Sequence, residues 1–322
     1  MSLKKAVACI KKHNNFLITS HTSLEGDALG SELAFYILLK KLGKSALIVN
    51  KDNLPKEYSF LPQKSNIKKF SPRSRFTGFD CFIALDCSDL SRTGAFSRET
   101  LNLPILNIDH HISNQRFGDI NWLDLQASCC SEMIYKLYKQ LRIPIDRDAA
   151  ILLYVGILTD TGSFRYTNTT SFTHQAAAQL LKHNINVAQV YRNIYENMAF
   201  KDMQRLSGIL PRMKLSSGGK IAWFQIKRNM LKNKLSSLDL SEALLDFARA
   251  IKGVEVCVLF KENSGQKDEV RVNFRSRGSV DVNKIASFFG GGGHKAASGA
   301  TIKGNIEQIT RMVLARIKEA ID

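Results

Sequence analysis

His21, Glu25 and Asp27 stand together in HTSLEGD, Asp86 closes CFIALD, Asp109-His110-His111 closes PILNID, and Asp160 follows the apolar segment 149–158. Carboxylates and imidazoles without a thiolate among them favour Mn2+ or Mg2+, with Co2+ or Fe2+ as alternatives, over structural zinc. His21, Glu25, Asp27, Asp86, His110 and Asp160 give six candidate ligands. That number suits two ions sharing a bridging carboxylate about 3.5–4 Å apart, a spacing that can hold a hydroxide nucleophile and stabilise an in-line displacement.

Taken singly, each acid would read as a helix cap or a turn aspartate. Taken together they would repel one another, and each would tend to take up a proton unless a cation neutralised it. Glu25 and Asp27 also occupy the turn where a dinucleotide-binding fold places its glycine-rich phosphate cradle. Two carboxylates there would repel a pyrophosphate but accept a metal, through which a phosphate could bind.

The elements that must deliver these residues are short apolar runs alternating with helical patterns: FLITSH, LGSELAFYILLKKLG, SALIVN, CFIALD, PILNID and DAAILLYVGILTD. Such alternation predicts βαβ units and a parallel sheet, whose ligands bind beyond the carboxyl ends of the strands. Four separate apolar segments would thus bring acids or histidines to one edge. Leu29, Leu33, Tyr36, Ile37 and Leu42 recur with helical spacing, and Gly43 closes that helix. The helix would serve a core or a homodimer interface equally well. Residues 171–210 read as helical, with Ala176, Leu180, Leu181, Val187 and Val190 on an inner face and a stop at Pro211.

KIAWFQI, VEVCVLF and EVRVNFRS then read as strands, followed by a helix around 281–289, the glycines 290–293 and a final helix near 305–320. The expected division is a metal-binding domain over 1–195, a helical linker over 196–211 and a smaller α+β domain over 212–322.

The net charge of +17 points to a polyanionic partner, although a generally solvated basic surface explains it as well. Residues 201–322 carry more of the excess than residues 1–200. The six cysteines form no C-x-x-C pair, and most sit in apolar runs as small hydrophobes do, which fits a reducing cytoplasm. The vicinal Cys129-Cys130 pair and the lone His13, His174 and His183 are assigned to structure or surface. The first apolar patch is too short for a signal-peptide core, and no stretch is long enough to span a membrane, so a cytoplasmic protein is expected.

HTSLEGD, ALDCSD, NIDHH and ILTDTGSF resemble, in order, the four motifs of the DHH phosphoesterases, and FRSRGSVDVNKIASFFGGGGHKAASG resembles the glycine-rich signature of their C-terminal DHH-associated domain. The resemblance covers nearly the whole chain. It implies an α/β fold: a parallel-sheet DHH domain with helices on both faces, joined by a helical linker to the α+β domain, with the active site in the cleft between them. His21, Glu25 and Asp86 would hold one metal, Asp27, Asp86, His110 and Asp160 the other, with Asp86 bridging and Mn2+ the expected ion. His111 would face the scissile phosphate, and Asp109 would accept an imidazole N–H and fix which nitrogen is presented. Asp86, His111 and Asp109 are thus the catalytic set. The sequence departs from the family at Glu25, where aspartate is usual, which leaves that ligand's denticity and the metal preference open.

A four-glycine run lets backbone N–H groups approach a ligand, and Arg275 and His294 add donors for phosphate oxygens; a flexible loop is the alternative. By resemblance, Arg275, Gly292, Gly293 and His294 would bind the substrate's terminal phosphate or nucleotide. Arg92 reads equally as a phosphate contact or a loop salt bridge. Phe164 and Tyr166 could stack on a base, but core packing suits them better.

The length and the GGGGH element resemble the nanoRNase branch, which hydrolyses very short RNA and 3′-phosphoadenosine 5′-phosphate. The alternatives are a cyclic or linear dinucleotide phosphodiesterase, an exopolyphosphatase, and, in another class, an inactive nucleotide- or RNA-binding protein.

Overall fold

The structure, a computed structural model, describes residues 3–73, 75–231, 240–262 and 268–321. Two compact units emerge, Met1–Asn197 and Met198–Asp322.

The first unit opens with α1 (Leu3–Lys12), β1 (Asn15–Thr19), α2 (Gly26–Lys41), β2 (Ser45–Asn50), β3 (Ile67–Lys69) and β4 (Cys81–Leu85). It continues with α3 (Arg98–Leu101), β5 (Ile105–Asp109), β6 (Ile120–Leu123), α4 (Cys130–Leu141), α5 (Arg147–Asp160), α6 (Ser171–Leu181) and α7 (Val187–Tyr195). Its strands pair in the order β3-β2-β1-β4-β5-β6, every neighbour parallel. The central strands are almost wholly buried and mostly apolar because both faces are covered. Phe16, Ile18, Ile83, Leu85, Leu106 and Ile108 pack with α1, α2, α4 and α5. Their neighbours Leu17, Phe82, Ala84 and Ile105 join Phe96 and Leu101 on the other face.

α2 and α5 are buried nearly all round, so neither shows an amphipathic stripe. They approach closely at glycines: a Cβ on Gly30 would lie 2.4 Å from the Leu152 carbonyl oxygen. Residues 149–158, an apolar run with no helical periodicity, therefore belong to a helix, so Asp160 arrives at a helix end and not after a strand. The stretch 171–210 is helical in three pieces, broken at 182–186 and 196–199. Ala176, Leu180 and Val190 are buried as expected, but Leu181 and Val187 are exposed, because the break between α6 and α7 turns them out of the expected inner face.

The second unit contains α8 (Phe200–Ile209), β7 (Lys214–Ser216), β8 (Ile221–Ile226), α9 (Ser241–Ala250), β9 (Val256–Glu262), β10 (Glu269–Ser276), α10 (Val282–Phe288), β11 (Gly292–Gly293), β12 (Ala297–Lys303) and α11 (Ile306–Ile321). Its sheet order is β11-β12-β10-β9-β8-β7, antiparallel except for the β8–β9 pair. Pro211 sits in a 3-10 turn after α8. The glycine run is no loose loop: Gly292 and Gly293 pair with Gly299 and Ser298. A Cβ on Gly291 would meet the Gly299 carbonyl oxygen at 2.2 Å, so the sheet itself demands glycine there. Among the described residues, no helix is long and apolar enough to cross a membrane.

Candidate metal centre

The carboxyl ends of β1, β4 and β5 carry His21, Asp86 and Asp109-His110-His111 to one edge of the parallel sheet, and α2 adds Asp27 in its first turn. Asp160, the last residue of α5, completes the group. Parallel pairing makes this convergence unavoidable, because every strand points its last residue the same way.

Asp86 lies at the middle. Its Oδ2 is 3.4 Å from His21 Nε2, and its Oδ1 is 3.4 Å from His110 Nε2. Glu25 Oε1 approaches the same His21 nitrogen at 3.7 Å, while Asp160 Oδ2 and Asp27 Oδ2 lie 3.6 and 3.9 Å from His110 Nε2. The ligand atoms thus fall into two sets, His21-Glu25-Asp86 and Asp27-His110-Asp160, with Asp86 also beside His110. Asp86 sits at φ 52°, a left-handed conformation that a short carboxylate tolerates better than most side chains, and its N–H donates to the Ile108 carbonyl.

Hydrogen bonds around the cluster fix which atoms face inward. His21 Nδ1 donates to the Thr22 carbonyl at 2.6 Å, which leaves Nε2 for the cluster. His111 Nδ1 donates to Asp109 Oδ1 at 2.7 Å, and Asp109 also accepts the His110 N–H and the Asn114 amide. Asp27 accepts backbone N–H groups of Cys130 and Ser131 in the first turn of α4, at 2.6 and 2.8 Å, so a helix N-terminus steadies its charge. Asn50 donates to Glu32 on α2 and accepts the Ser20 N–H, pinning the end of β1. Asn114, Asn50, Glu32 and Ser131 went unread in the sequence, where ordinary polar types carried no signal.

Burial opposes charge throughout. Burial and then Asp86 push Asp27 up to about 6, and burial with the Asp27, Glu25 and Asp86 charges raises Asp160 well above the usual carboxylate range. Burial would raise Asp86 too, but the His110 and His21 rings 3.4 Å from its two oxygens outweigh it and hold the carboxyl well below the usual carboxylate range. Burial disfavours a charged His21, yet Asp86 and Glu25 raise the ring to about 10. The cluster therefore draws positive charge to itself. His21 Nε2 and both Asp86 oxygens are buried without any hydrogen-bond partner. Leaving such atoms unsatisfied is costly, and divalent cations at the two ligand sets would engage all three.

Arg92 donates to Ser88 Oγ at 3.2 Å in the turn after Asp86. Arg275, on β10, donates to the Phe274 carbonyl and to Glu242 on α9, so it already serves its own unit. His294 follows β11, its N–H donating to the Ala297 carbonyl. Phe164 packs against the first core and stacks on His174.

Residues 15–157 match the DHH family, N-terminal domain, and residues 225–321 match the DHHA1 domain. The chain is 30% identical over 308 residues to the bifunctional oligoribonuclease and PAP phosphatase NrnA of Thermus thermophilus, covering 94% of this chain and 89% of that one. It is 35% identical over 202 residues to the protein of the same name from Bacillus subtilis, 62% of each chain. An exopolyphosphatase-related protein from Bacteroides fragilis shares the fold, with a TM-score of 0.87, 23% identity and coverage of 98% of this chain and 96% of that one.

Proposed function

Because this chain belongs to the DHH family of phosphoesterases, we propose that it hydrolyses short oligoribonucleotides from one end and converts 3′-phosphoadenosine 5′-phosphate to AMP. The observation that carries the metal-dependent reading is Asp86, whose two unsatisfied oxygens face two different histidines. A carboxylate so placed suits a bridge between two cations.

His21, Glu25 and Asp86 would hold one ion, and Asp27, Asp86, His110 and Asp160 the other. Bound Mn2+ would acidify water and offset negative charge on the phosphate. The protein's own contribution is orientation. Asp109 accepts a hydrogen bond from His111 Nδ1 and so orients the ring assigned to a phosphate oxygen. Asp27, clamped by the first turn of α4, cannot swing away from its ligand position. Arg275, Gly292, Gly293 and His294, with Arg92, are assigned to the substrate's remaining phosphate or nucleotide, and cytoplasmic short RNA supplies the substrate.

The test is turnover with Mn2+ on dinucleotides, 3′-phosphoadenosine 5′-phosphate, cyclic di-AMP and polyphosphate. Mononucleotide release from dinucleotides is expected. Activity confined to polyphosphate or cyclic di-AMP would replace the proposed substrate, and absence of turnover in metal-loaded protein would leave a binding protein.

A further inference from the structure

We propose that Cys9, His13 and Cys81 form a second, separate metal site, for a soft divalent cation of the zinc class, at the opposite edge of the parallel sheet. Cys81 begins β4 and Asp86 follows it. The strand rise therefore separates the two sites by roughly 16 Å.

Local structure and topology assemble the three donors. Cys9 lies in the last turn of α1 and His13 follows the helix end, a four-residue spacing that sets both on one side of the chain. β1 and β4 then pair with Phe16 opposite Cys81, which brings the third donor alongside. The Cys9 and Cys81 sulfurs are 3.7 Å apart, and Cys9 Sγ is 3.6 Å from His13 Nδ1. All three donor atoms lie within 4.8 Å of one another.

These separations fit a metal. A tetrahedral ion with bonds of about 2.3 Å to sulfur and about 2.0–2.1 Å to nitrogen sets its ligands roughly 3.8 Å apart (sulfur to sulfur) and roughly 3.5 Å apart (sulfur to nitrogen). Thiol contact and the His13 hydrogen bonds to Cys9 already hold these distances in the metal-free chain, so three donors stand gathered within reach of one ion. A cavity of about 310 Å3, lined in part by Lys5, Lys12, His13 and Asp119, gives an entry path and room for a fourth ligand. Thiolate donors select against Mn2+ and Mg2+, so the chain would sort its metals by donor chemistry.

In the metal-free chain His13 Nδ1 donates to the Cys9 carbonyl at 2.9 Å. Loading forms two metal–sulfur bonds and breaks two S–H bonds, releasing two protons. To bind the ion, the His13 ring carries its hydrogen on Nε2, so that Nδ1 presents its lone pair. The ion would then tie α1 to the first residue of β4.

The experiment titrates Co2+ into chelator-stripped, reduced full-length protein without air. A near-ultraviolet thiolate-to-cobalt band is expected, saturating at one equivalent in Asp86→Ala, where the carboxylate centre no longer competes, and bleached by added Zn2+. It should vanish in Cys9→Ser and in Cys81→Ser but persist in Asp86→Ala, which breaks the carboxylate centre. His13→Ala, which opens no core cavity, should keep the fold and weaken Co2+ binding at this site at least tenfold. No band in the wild type, a band surviving in both serine variants, or His13→Ala binding as tightly as wild type would each overturn the proposal.

Discussion

Gly156 on α5 makes room for Asp27 on α2: a β-carbon on the glycine would lie 2.7 Å from Asp27 Oδ1 and 2.0 Å from Ser131 Oγ. The absence of a side chain at one helix crossing thus sets the position of a carboxylate in another element. Gly156→Ala is expected to destabilise the first unit by about 1–3 kcal/mol through overpacking. Mn2+ affinity should fall with it. Denaturant unfolding and metal titration check the pair of effects, and a stable variant with normal affinity would contradict the relationship.

Asp86→Ala should release both ions of the carboxylate centre, whereas His294→Ala should raise KM and leave those two ions in place. Losing several kcal/mol of transition-state stabilisation corresponds to roughly a hundredfold to a thousandfold in rate for the first variant. Elemental analysis beside steady-state kinetics separates the two roles; metal loss in His294→Ala would refute the division.

For Asp109→Asn, metal stoichiometry should hold while activity drops. Asp109 touches His111 through an imidazole N–H and His110 through its backbone. Removing such an orienting carboxylate costs about 10–100-fold in affinity or activity. Turnover at saturating Mn2+ is the measurement, and an unchanged rate would remove Asp109 from the catalytic set.

Glu25 is the most exposed of the cluster's acids, its side chain 55% exposed against 1% for Asp27 and Asp86. Glu25→Asp is expected to give equal or higher activity with Mn2+. A tenfold loss would show that the longer arm is fitted to this site.

Apparent Mn2+ affinity should rise with pH. Burial disfavours the His21 cation, but Asp86 and Glu25 raise the ring to about 10 in the metal-free chain, so a proton must leave before the nitrogen can bind an ion. Protons therefore compete with the metal, by up to about tenfold in affinity per pH unit for each proton released. Calorimetry between pH 6 and 9, in buffers of different ionisation heat, counts those protons. Affinity independent of pH would mean that His21 is already neutral.

The catalytic edge was legible because an acid or histidine after each apolar run is a local signal, and a parallel sheet turns that signal into proximity. Asp160 was legible as a candidate, but the element carrying it was not. The apolar run 149–158 of α5, buried nearly all round, has neither helical nor alternating periodicity. The exposed Leu181 and Val187 fell to a break between helices with no proline or glycine to announce it. Contacts such as Asp27 with Ser131, or Cys9 with Cys81, join residues 104 and 72 positions apart. Nothing in either local sequence encodes its partner. Cys9, Cys81 and His13, read as packing or surface, come together with no local signal of their meeting.

The backbone at Asp86 also limits what mutation can do there. At φ 52° the position favours a side chain short enough to fold back on its own peptide, so lengthening the acid by one methylene would strain the chain and move the shared ligand. Glu25, at φ −129° in extended backbone, has no such restriction. A codon drifting from aspartate to glutamate is thus absorbed at the rim of the centre and rejected at its hub. The tolerance of this cluster to genetic change is graded by backbone conformation, independently of how many ligands each residue supplies.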